Sequence, residues 1–358
     1  MRSPHETILE ISNTHLINNF SYLKNKIPNT KIIAVVKAYA YGHGDIIIAK
    51  KLEELGVDAF WVADFEEGGR LRKNKITKPI IVANPGLKSI NEIIHNQLEV
   101  VIYNFTLLTL YSKLNKTINI HIKLNTGMNR YGFNQNELKK VIEILKKSPN
   151  LNVKSICSHL AASENASKDE FTLAQFNKFE KACDTFFNEI GYTVDRHILN
   201  THGVLRFPHK KYEMVRLGIG LYGAVENKNL KEISVLKSII TQIRTIKKGG
   251  SIGYNASFIA KKEITVGVIP FGYADGLNRK LSAKNGCVLV NDTPCLIIGK
   301  ISMDSCIIDL KGVKAKTGDE VIIFGGENTI FSISEKLETI PYEIYATLNR
   351  RIKRIYSL

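Results

Sequence analysis

The sequence predicts an α/β protein: an N-terminal (β/α)8 barrel of the TIM type, followed by a C-terminal domain of mainly β structure. Between residues 31 and 216, short apolar runs alternate with amphipathic stretches, which predicts parallel strands joined by helical crossovers. After Gly223 the apolar runs alternate in polarity and are separated by Gly, Asn and Asp, as in a β domain. We therefore expect a barrel over residues 8–230 and a β domain over 231–358, with residues 1–7 as a candidate addition to the β domain.

Each predicted barrel strand is a short apolar run, and each predicted helix is a longer stretch with one apolar face. The strands are expected at Lys31–Val36, Asp58–Ala63, Pro79–Ala83, Glu99–Tyr103, Ile118–Leu124, Val153–His159, His197–Asn200 and Tyr212–Arg216. The helices are expected at Asp45–Leu55, Leu87–Gln97, Thr106–Leu114, Gln135–Lys147 and Glu170–Ile190. Eight such units suit a closed barrel, and an open doubly wound sheet is the alternative. The N-terminal run Thr7–Ile11 is a candidate strand of the second domain.

The composition favours a protein of the cytoplasm. The chain is 44% hydrophobic and 23% charged and contains no apolar run of about 18 residues, which argues against a membrane span. The five cysteines are scattered without the paired spacing of a metal site, so we expect reduced thiols and no metal. The net charge is 50 − 34 = +16, but the lysines are spread along the chain. No basic arm or aromatic-basic motif appears, and we expect no nucleic-acid partner.

The strand-end residue Lys37 is the first candidate functional residue. It follows the apolar run Ile32–Val36 and precedes a glycine-punctuated turn that ends at Gly44. An amine at the edge of a buried strand is desolvated, which favours its neutral form and suits a lysine that forms a Schiff base. The alternative is a lysine that extends from the strand end into solvent.

Other chemically active residues also follow predicted strands, where barrel enzymes carry their catalytic groups. They are Arg130, His159, the run Asn200–Gly203, and the run from Arg216 to Gly220. A hydroxyl at Thr201 and glycines in the loops after strands seven and eight suit a phosphate. Pyridoxal 5'-phosphate needs both an amine for its aldehyde and a cradle for its phosphate, so it is the cofactor that the pattern predicts.

Several motifs, in this order, resemble those of the alanine racemase family across essentially the whole chain. They are Lys37 with Tyr41-Gly42-His43-Gly44, the run Thr126–Gly132, Met214–Ile219 with Leu221-Tyr222-Gly223, Gly253-Tyr254, Gly272–Gly276, and Met303-Asp304. The resemblance implies a barrel followed by a β domain, in agreement with the pattern above. It also implies the interconversion of L-alanine and D-alanine, which supplies D-alanine for peptidoglycan.

Racemisation needs two opposed groups, one to remove a proton from one face of the substrate and one to return it on the other. The resemblance assigns these roles to Lys37 and Tyr254. A phenol is a poor base unless cationic neighbours stabilise its anion. In the family the tyrosine enters the site from the second subunit, which implies a head-to-tail homodimer with shared active sites.

The resemblance also assigns the residues around the cofactor and substrate. Arg216 is expected at the pyridine nitrogen, with His197 behind it and His159 against the ring. The expected phosphate ligands are Tyr41, Thr201, Gly218 and Ile219. Arg130 and the backbone N–H of Met303 are expected to bind the substrate carboxylate, with Asp304 in a supporting place. Lys123 matches a lysine that many family members carbamylate, and an unmodified lysine is the alternative.

This chain departs from the family pattern at several positions. Asn125 stands where Asp is usual, Tyr39 where Asn is usual, and Thr201 where Ser is common. Arg350 occupies a position where some members place a tyrosine that contacts the phosphate. The outer entrance matches Glu164, Tyr273, Arg279 and Lys300, where the first and last are commonly Asp and Arg. These changes affect the expected width of the entrance more than the expected chemistry.

Three alternative functions remain open on the sequence. One is a racemase of another or broader set of amino acids, such as serine. A decarboxylase of basic amino acids would share the fold and the lysine, but Arg216 argues against it because that reaction normally uses an acidic residue at the pyridine nitrogen. The third is a pyridoxal-phosphate-binding homeostasis protein without turnover, which the second-domain motifs disfavour.

Overall fold

The structure is a computed structural model that describes residues 4–282 and 285–357. The chain divides into two compact units. The barrel unit comprises residues 19–40 and 45–221, and the β unit comprises residues 4–18, 41–44 and 222–357. No helix within these described residues is both long and apolar enough to cross a membrane.

Residues 4–282 and 285–357 contain nineteen strands, many of them short. In chain order they are β1 (Ile8–Ser12), β2 (Lys31–Val35), β3 (Ala59–Val62), β4 (Ile80–Val82), β5 (Glu99–Ile102), β6 (Ile118–Lys123), β7 (Leu151–Cys157), β8 (Asp195–His197), β9 (Met214–Leu217), β10 (Ser234–Ile239), β11 (Gln242–Ile246), β12 (Ser251–Ile252), β13 (Phe258–Ile259), β14 (Ile264–Ile269), β15 (Cys287–Val290), β16 (Thr293–Leu296), β17 (Cys306–Asp309), β18 (Glu320–Phe324) and β19 (Lys353–Ser357). The right-handed helices are Asn13–Lys26, Asp45–Glu54, Phe65–Lys73, Ile90–His95, Phe105–Ser112, Leu138–Lys146, Asp169–Ile190, Thr201–Arg206, Ile330–Leu337 and Pro341–Ala346.

Eight parallel strands form the barrel in the order β8-β7-β6-β5-β4-β3-β2-β9. The last strand pairs with the first, β9 with β2, and Arg216 N–H then donates to Leu199 O at 3.0 Å beside the end of β8. This order closes the sheet almost completely, so the predicted (β/α)8 barrel is confirmed and the doubly wound alternative is wrong.

The barrel elements follow from the sequence pattern. Strands β3, β4 and β5 are buried at every residue, as expected for strands between helices and the barrel interior. On helix Leu138–Lys146 the buried residues recur at Leu138, Val141, Ile142 and Leu145, the spacing of one helix face. Burying each of these side chains stabilises the fold by about 1.5–3 kcal/mol.

The β unit contains a six-stranded sheet in the order β16-β15-β18-β10-β1-β19 and a three-stranded sheet in the order β11-β14-β17. The N-terminal strand β1 lies inside the larger sheet, antiparallel to β10 and parallel to β19. The predicted mainly-β C-terminal domain is therefore confirmed.

Some element boundaries differ from the predicted ones. The predicted strand His197–Asn200 is found earlier, as β8, because Asn200 caps the helix Thr201–Arg206 by accepting a hydrogen bond from Gly203 N–H at 2.8 Å. In the β unit, the neighbouring strands β10 and β11 belong to different sheets, since β10 pairs with β18 and β11 pairs with β14.

Candidate active site

Lys37 lies just beyond the end of β2 and begins a left-handed turn. Ala38, Tyr39, Ala40 and Tyr41 all have positive φ between 51° and 58°. A left-handed residue other than glycine costs about 1–2 kcal/mol, so four in a row are held by their surroundings. The turn fixes the direction in which the backbone leaves Lys37.

Glu67 holds the start of this turn. Its carboxylate accepts hydrogen bonds from Ala38 N–H and Ala63 N–H, each at 2.7 Å. The same carboxylate thereby joins the chain segments that follow β2 and β3. Sequence reasoning missed Glu67, although Asp64-x-x-Glu67 is a helix-start pattern in which Asp64 accepts from Glu67 N–H at 3.0 Å.

Tyr39, the substituted residue after the lysine, contacts a cation. Its ring lies beneath the Arg70 guanidinium, 5.6 Å from ring centroid to Arg70 Cζ. Arg70 also forms a salt bridge with buried Asp45 at 2.5 Å. A tyrosine here therefore adds a cation–π contact to an arginine that is already anchored.

Cationic and imidazole side chains gather at the carboxyl ends of the barrel strands. Lys123, Arg130 and His159 line one small cavity. The protein atoms around Lys37 desolvate it, although part of the residue remains accessible to solvent, and with the Arg130 charge this lowers the pKa of Lys37, against an opposing effect of Glu67. Burial lowers the pKa of Lys123 to about 8, and the charges of Arg216, Arg130 and Lys37 act in the same direction. Both amines are thus biased toward their neutral, nucleophilic form.

Asn125 organises the loop that carries Arg130. Its amide donates to Asn129 Oδ1 at 2.9 Å and to Asn134 Oδ1 at 3.0 Å, and its own Oδ1 accepts from Asn129 N–H at 3.0 Å. An aspartate could accept but could not donate to these side-chain oxygens. The departure at Asn125 therefore keeps the loop ordered by a different set of hydrogen bonds.

Arg216 is buried, and its donors are directed at specific acceptors. Its terminal nitrogens donate to Ser158 O at 2.6 Å, to Ile198 O at 3.0 Å and to His197 Nδ1. Burial lowers the pKa of Arg216 to about 10, which leaves it protonated at neutral pH. Burial first and then the Arg216 charge depress the pKa of His197 far below its usual value, so His197 is neutral.

His159 also contacts Arg216, with its Nδ1 3.2 Å from a terminal nitrogen of the guanidinium. Burial, followed by the charge of Arg216, holds its pKa well below the ordinary histidine value. A neutral imidazole whose Nδ1 accepts from Arg216 is suited to pack against a ring. The structure thus brings Arg216, His197 and His159 together.

The loops after β8 and β9 form an anion cradle. Thr201 Oγ1 accepts from Gly218 N–H at 3.2 Å and from Gly220 N–H at 3.3 Å. A Cβ at Gly220 would lie 2.4 Å from Thr201 Cγ2, so only glycine allows this approach. Because Thr201 Oγ1 accepts from both amides, the Thr201 hydroxyl proton can be donated to a phosphate. Ile219 lies buried between the two glycines.

In the β unit, Tyr41 packs against aromatic rings. Its ring centroid lies 4.7 Å from that of Tyr222 and 5.9 Å from that of Tyr342. Burial raises the pKa of Tyr41, so its hydroxyl keeps its proton and remains a hydrogen-bond donor. Sequence reasoning did not single out Tyr342 as a neighbour of Tyr41. The Pro341-Tyr342 pair at a helix start was the available signal.

Tyr254 is displayed on a short turn of the β unit. It is 66% exposed and follows Gly253, whose φ is 75°. A Cβ at Gly253 would lie 2.8 Å from Lys300 N, so this glycine allows the Tyr254 turn to approach the backbone of Lys300. The backbone segment that carries Tyr254 therefore lies next to the segment that carries Lys300, a predicted entrance residue.

Met303 adjoins the Gly272–Gly276 motif in the same unit. Ala274 N–H donates to Met303 O at 2.9 Å, and a Cβ at Gly272 would lie 2.3 Å from that oxygen. Arg351 joins the two motifs by donating to Asp275 at 2.5 Å and to Asp304 at 2.7 Å. Asp304 thus supports the segment that carries Met303. The exposed Tyr273 lies on the Gly272–Gly276 turn, next to Ala274.

The remaining entrance candidates are distributed between the two units. Arg279 lies in the β unit and donates from Nε to Ile301 O at 3.3 Å. Glu164 is exposed in the barrel unit, where its charge acts on His202. The entrance roles of Glu164, Lys300, Arg279 and Arg350 stay predictions.

The barrel carries a lysine at the end of its first strand, a buried arginine and glycine-lined loops with a hydroxyl. These features define a class of barrel proteins that could bind a phosphorylated aldehyde. Family descriptions for the alanine racemase N-terminal domain and the alanine racemase C-terminal domain match residues 11–226 and 233–356. The chain belongs to the alanine racemase family, whose members are amino-acid isomerases.

Individual relatives agree with this assignment. The chain is 34% identical to the alanine racemase of Vesicomyosocius okutanii, with 98% of this chain and 99% of the relative covered. It superposes on the alanine racemase of Clostridium difficile 630 with a TM-score of 0.92 at 31% identity, covering 99% of this chain and 97% of that one. The Bartonella henselae alanine racemase with covalently bound pyridoxal phosphate gives a TM-score of 0.89 at 31% identity, covering 99% and 100% of the two chains.

Proposed function

We propose that this protein is a pyridoxal-phosphate-dependent alanine racemase that interconverts L-alanine and D-alanine and supplies D-alanine for peptidoglycan. The observation that carries the proposal is the environment of Lys37. Its amine lies at the barrel strand ends, and its pKa is lowered by desolvation and by Arg130. A lysine biased toward the neutral amine, in a chain of this family, is the group that this chemistry requires.

The cofactor would be held by residues of known geometry. When bound, pyridoxal phosphate supplies an aldehyde that condenses with amines and an electron sink that acidifies the Cα proton of an attached amino acid. Lys37 Nζ would bind the aldehyde carbon. Thr201 Oγ1 and the N–H groups of Gly218 and Ile219 would bind the phosphate, and Tyr41 would donate its hydroxyl to it. His159 would pack against the ring.

Arg216 would donate a hydrogen bond to the pyridine nitrogen and keep its own proton. Its pKa of about 10 leaves it charged at neutral pH, and His197, Ser158 O and Ile198 O fix its orientation. An arginine gives up a proton far less readily than a carboxylic acid, so the electron sink stays weak. That limits side reactions such as transamination and decarboxylation.

Two groups would move the proton on opposite faces of the substrate. Lys37 Nζ would exchange the proton on the D-alanine face, and Tyr254 Oη would exchange it on the L-alanine face. Arg130 would pair with the substrate carboxylate, and the N–H of Met303 would donate to the same group.

The active assembly would be a head-to-tail homodimer in which Tyr254 of one copy serves the barrel of the other. The exposure of Tyr254 supports this arrangement, because a residue with 66% of its surface accessible can reach the barrel of a second copy. A cyclic two-fold dimer of this kind would contain two equivalent active sites.

Lys123 would carry a carbamate that orients Arg130. A carbamate forms on a neutral amine, and burial lowers the pKa of Lys123 to about 8. The resulting anion would replace one cation in a crowded group of cations and would pair with the guanidinium of Arg130. This would fix the arginine in the geometry that binds the substrate carboxylate.

The test combines cofactor content with turnover. The purified protein is expected to show the visible absorbance of bound pyridoxal phosphate and to racemise alanine in preference to serine and other amino acids. Lys37→Ala should abolish both the covalent attachment and turnover, whereas Lys50→Ala, at an exposed lysine of the barrel unit, should change neither. A bound chromophore without racemisation of any amino acid would contradict the proposal and favour a cofactor-binding protein without turnover.

A further inference from the structure

Behind Arg216 the barrel interior holds polar side chains that the mechanism above does not use. His197 Nε2 lies 3.0 Å from Ser155 Oγ, and Ser155 Oγ lies 2.7 Å from His121 Nδ1. His121 Nε2 in turn lies 2.9 Å from Glu99 Oε2. All of these residues are buried. We call this hydrogen-bonded series from Arg216 to Glu99 the barrel relay.

The position of each proton in the barrel relay follows from its Arg216 end. A guanidinium can only donate, so His197 Nδ1 must accept. His197 is neutral, because burial and the Arg216 charge depress its pKa, and its single ring proton therefore lies on Nε2. That proton is donated to Ser155 Oγ. Ser155 then gives its hydroxyl proton to His121 Nδ1, and the Nε2–H of His121 is left for Glu99.

The Glu99 end imposes the same direction. Burial alone would raise the pKa of Glu99, but hydrogen bonds from His121 and from Asn119, at 2.8 Å, outweigh it and lower that pKa. Glu99 is therefore a carboxylate at neutral pH and can only accept. The barrel relay has a donor-only group at one end and an acceptor-only group at the other. With a single ring proton on each imidazole, only one arrangement of protons satisfies every link.

We propose that Glu99, His121 and Ser155 are positioning residues that fix the ring proton of His197 on Nε2 and so keep its Nδ1 as a permanent acceptor for Arg216. This inference rests on the function proposed above. In the other tautomer, His197 would present an N–H to the N–H of Arg216 and push the guanidinium away from its place. The barrel relay thus maintains the orientation of Arg216 from the opposite side of the barrel interior.

The experiment compares two buried serines in ¹⁵N-histidine-labelled enzyme carrying its cofactor. Ser155→Ala interrupts the barrel relay, whereas Ser148→Ala removes a hydroxyl that donates to Ile144 O at 2.8 Å outside it. In the wild type and in Ser148→Ala, the ¹⁵N shifts should place the ring proton of His197 and of His121 on Nε2. In Ser155→Ala, His197 should show mixed tautomers, with kcat about tenfold lower and KM within about twofold of wild type.

Glu99→Gln provides a second variant that keeps the side-chain shape. Its amide can accept from only one of His121 and Asn119, so the tautomer of His121 should become mixed and kcat should fall. A wild-type His197 protonated on Nδ1 would overturn the proposal, as would an unchanged tautomer, or an unchanged kcat, in both Ser155→Ala and Glu99→Gln. A loss of thermal stability without a tautomer change would show a purely structural role. If the wild type racemised no amino acid although its tautomers were as expected, the proposed function alone would fail.

Discussion

The two units present their candidate residues in opposite ways. In the barrel unit, Arg216 and His197 are buried and hydrogen-bonded to other protein groups. In the β unit, Tyr254 and Met303 are 66% and 53% exposed, on turns held by backbone contacts. The candidate residues of the barrel unit are therefore held in fixed orientations by hydrogen bonds within the protein, whereas those of the β unit are exposed at its surface.

This difference suits the two kinds of candidate residue to different roles. Groups that must hold a fixed charge pattern gain from burial, because electrostatic interactions are stronger away from water. A group displayed on an exposed turn is accessible to a second copy of the chain. The contrast predicts that substitution of the buried Arg216 or His197 changes stability and cofactor binding, while substitution of the exposed Tyr254 changes turnover alone.

The largest effect expected from the β unit is that of Tyr254→Phe. Removing one hydroxyl from an exposed ring should leave folding and cofactor absorbance unchanged but remove one of the two proton-transfer groups. General acid–base groups contribute about 10²–10⁴-fold, so kcat should fall by about that factor in both directions. Tyr192→Phe, at another exposed tyrosine, is the matched control and should retain full activity. An active Tyr254→Phe enzyme would remove the β unit from the chemistry.

Mixing two inactive variants then tests whether the halves come from different copies. In a heterodimer of Lys37→Ala and Tyr254→Phe, one site carries both defects and the other carries neither. With random exchange, half of the dimers are mixed and half of their sites are intact, so activity should return to about a quarter of wild type. No recovery, although mixed dimers are isolated, would mean that each chain completes its own site.

The barrel and the second domain could be predicted from the sequence because both rest on periodicity. The strand-end placement of Lys37, His159 and Arg216 followed from the barrel, since parallel strands end at one edge. Helix Phe65–Lys73 was missed, because its short sequence with paired glycines has few apolar residues, and Glu67 was missed with it.

The residues that support the site were harder to predict. The left-handed backbone of Ala38–Tyr41 could not be predicted, because alanine and tyrosine ordinarily adopt right-handed or extended conformations. Glu99, His121 and Ser155 lie on three different strands, and only the barrel register brings them together. Tyr342 was passed over because its contact with Tyr41 joins segments about 300 residues apart.

A smaller effect, on stability, is expected for Glu67→Ala in the barrel unit. The substitution would leave the N–H groups of Ala38 and Ala63 without their acceptor and would release the strained turn after Lys37. Because Ala38 is exposed and Ala63 is only partly buried, water can replace part of each lost hydrogen bond. The free energy of unfolding should therefore fall by about 1 kcal/mol, which lowers the melting temperature by about 2–4 °C. Glu66→Ala, at the exposed neighbouring position, should leave the melting temperature unchanged. Equal melting temperatures for the two variants would show that the turn does not depend on Glu67.

The smallest effect concerns the proposed carbamate on Lys123. Its pKa of about 8 means that the neutral amine is a minor form at pH 6 and about half of the population at pH 8. Carbamate formation consumes the neutral amine and releases a proton, so the modified fraction should rise with pH and with bicarbonate. The carbamate signal in ¹³C NMR with labelled bicarbonate should therefore be stronger at pH 8 than at pH 6. The groups facing Lys123 that set this dependence are Cys157, Arg216, Arg130 and Lys37.

Lys123→Ala should remove that signal and raise the KM for alanine by about fivefold, as expected when Arg130 loses one oriented charge-assisted partner. Lys154→Ala, on the same barrel sheet but exposed, should change neither the signal nor KM. A signal that persists in Lys123→Ala would assign the carbamate to another amine. If the carbamate signal were absent from the wild type at pH 8 in excess bicarbonate, Lys123 would be an unmodified amine. No carbamate anion would then pair with Arg130, and the proposed role of Lys123 in orienting that arginine would fail.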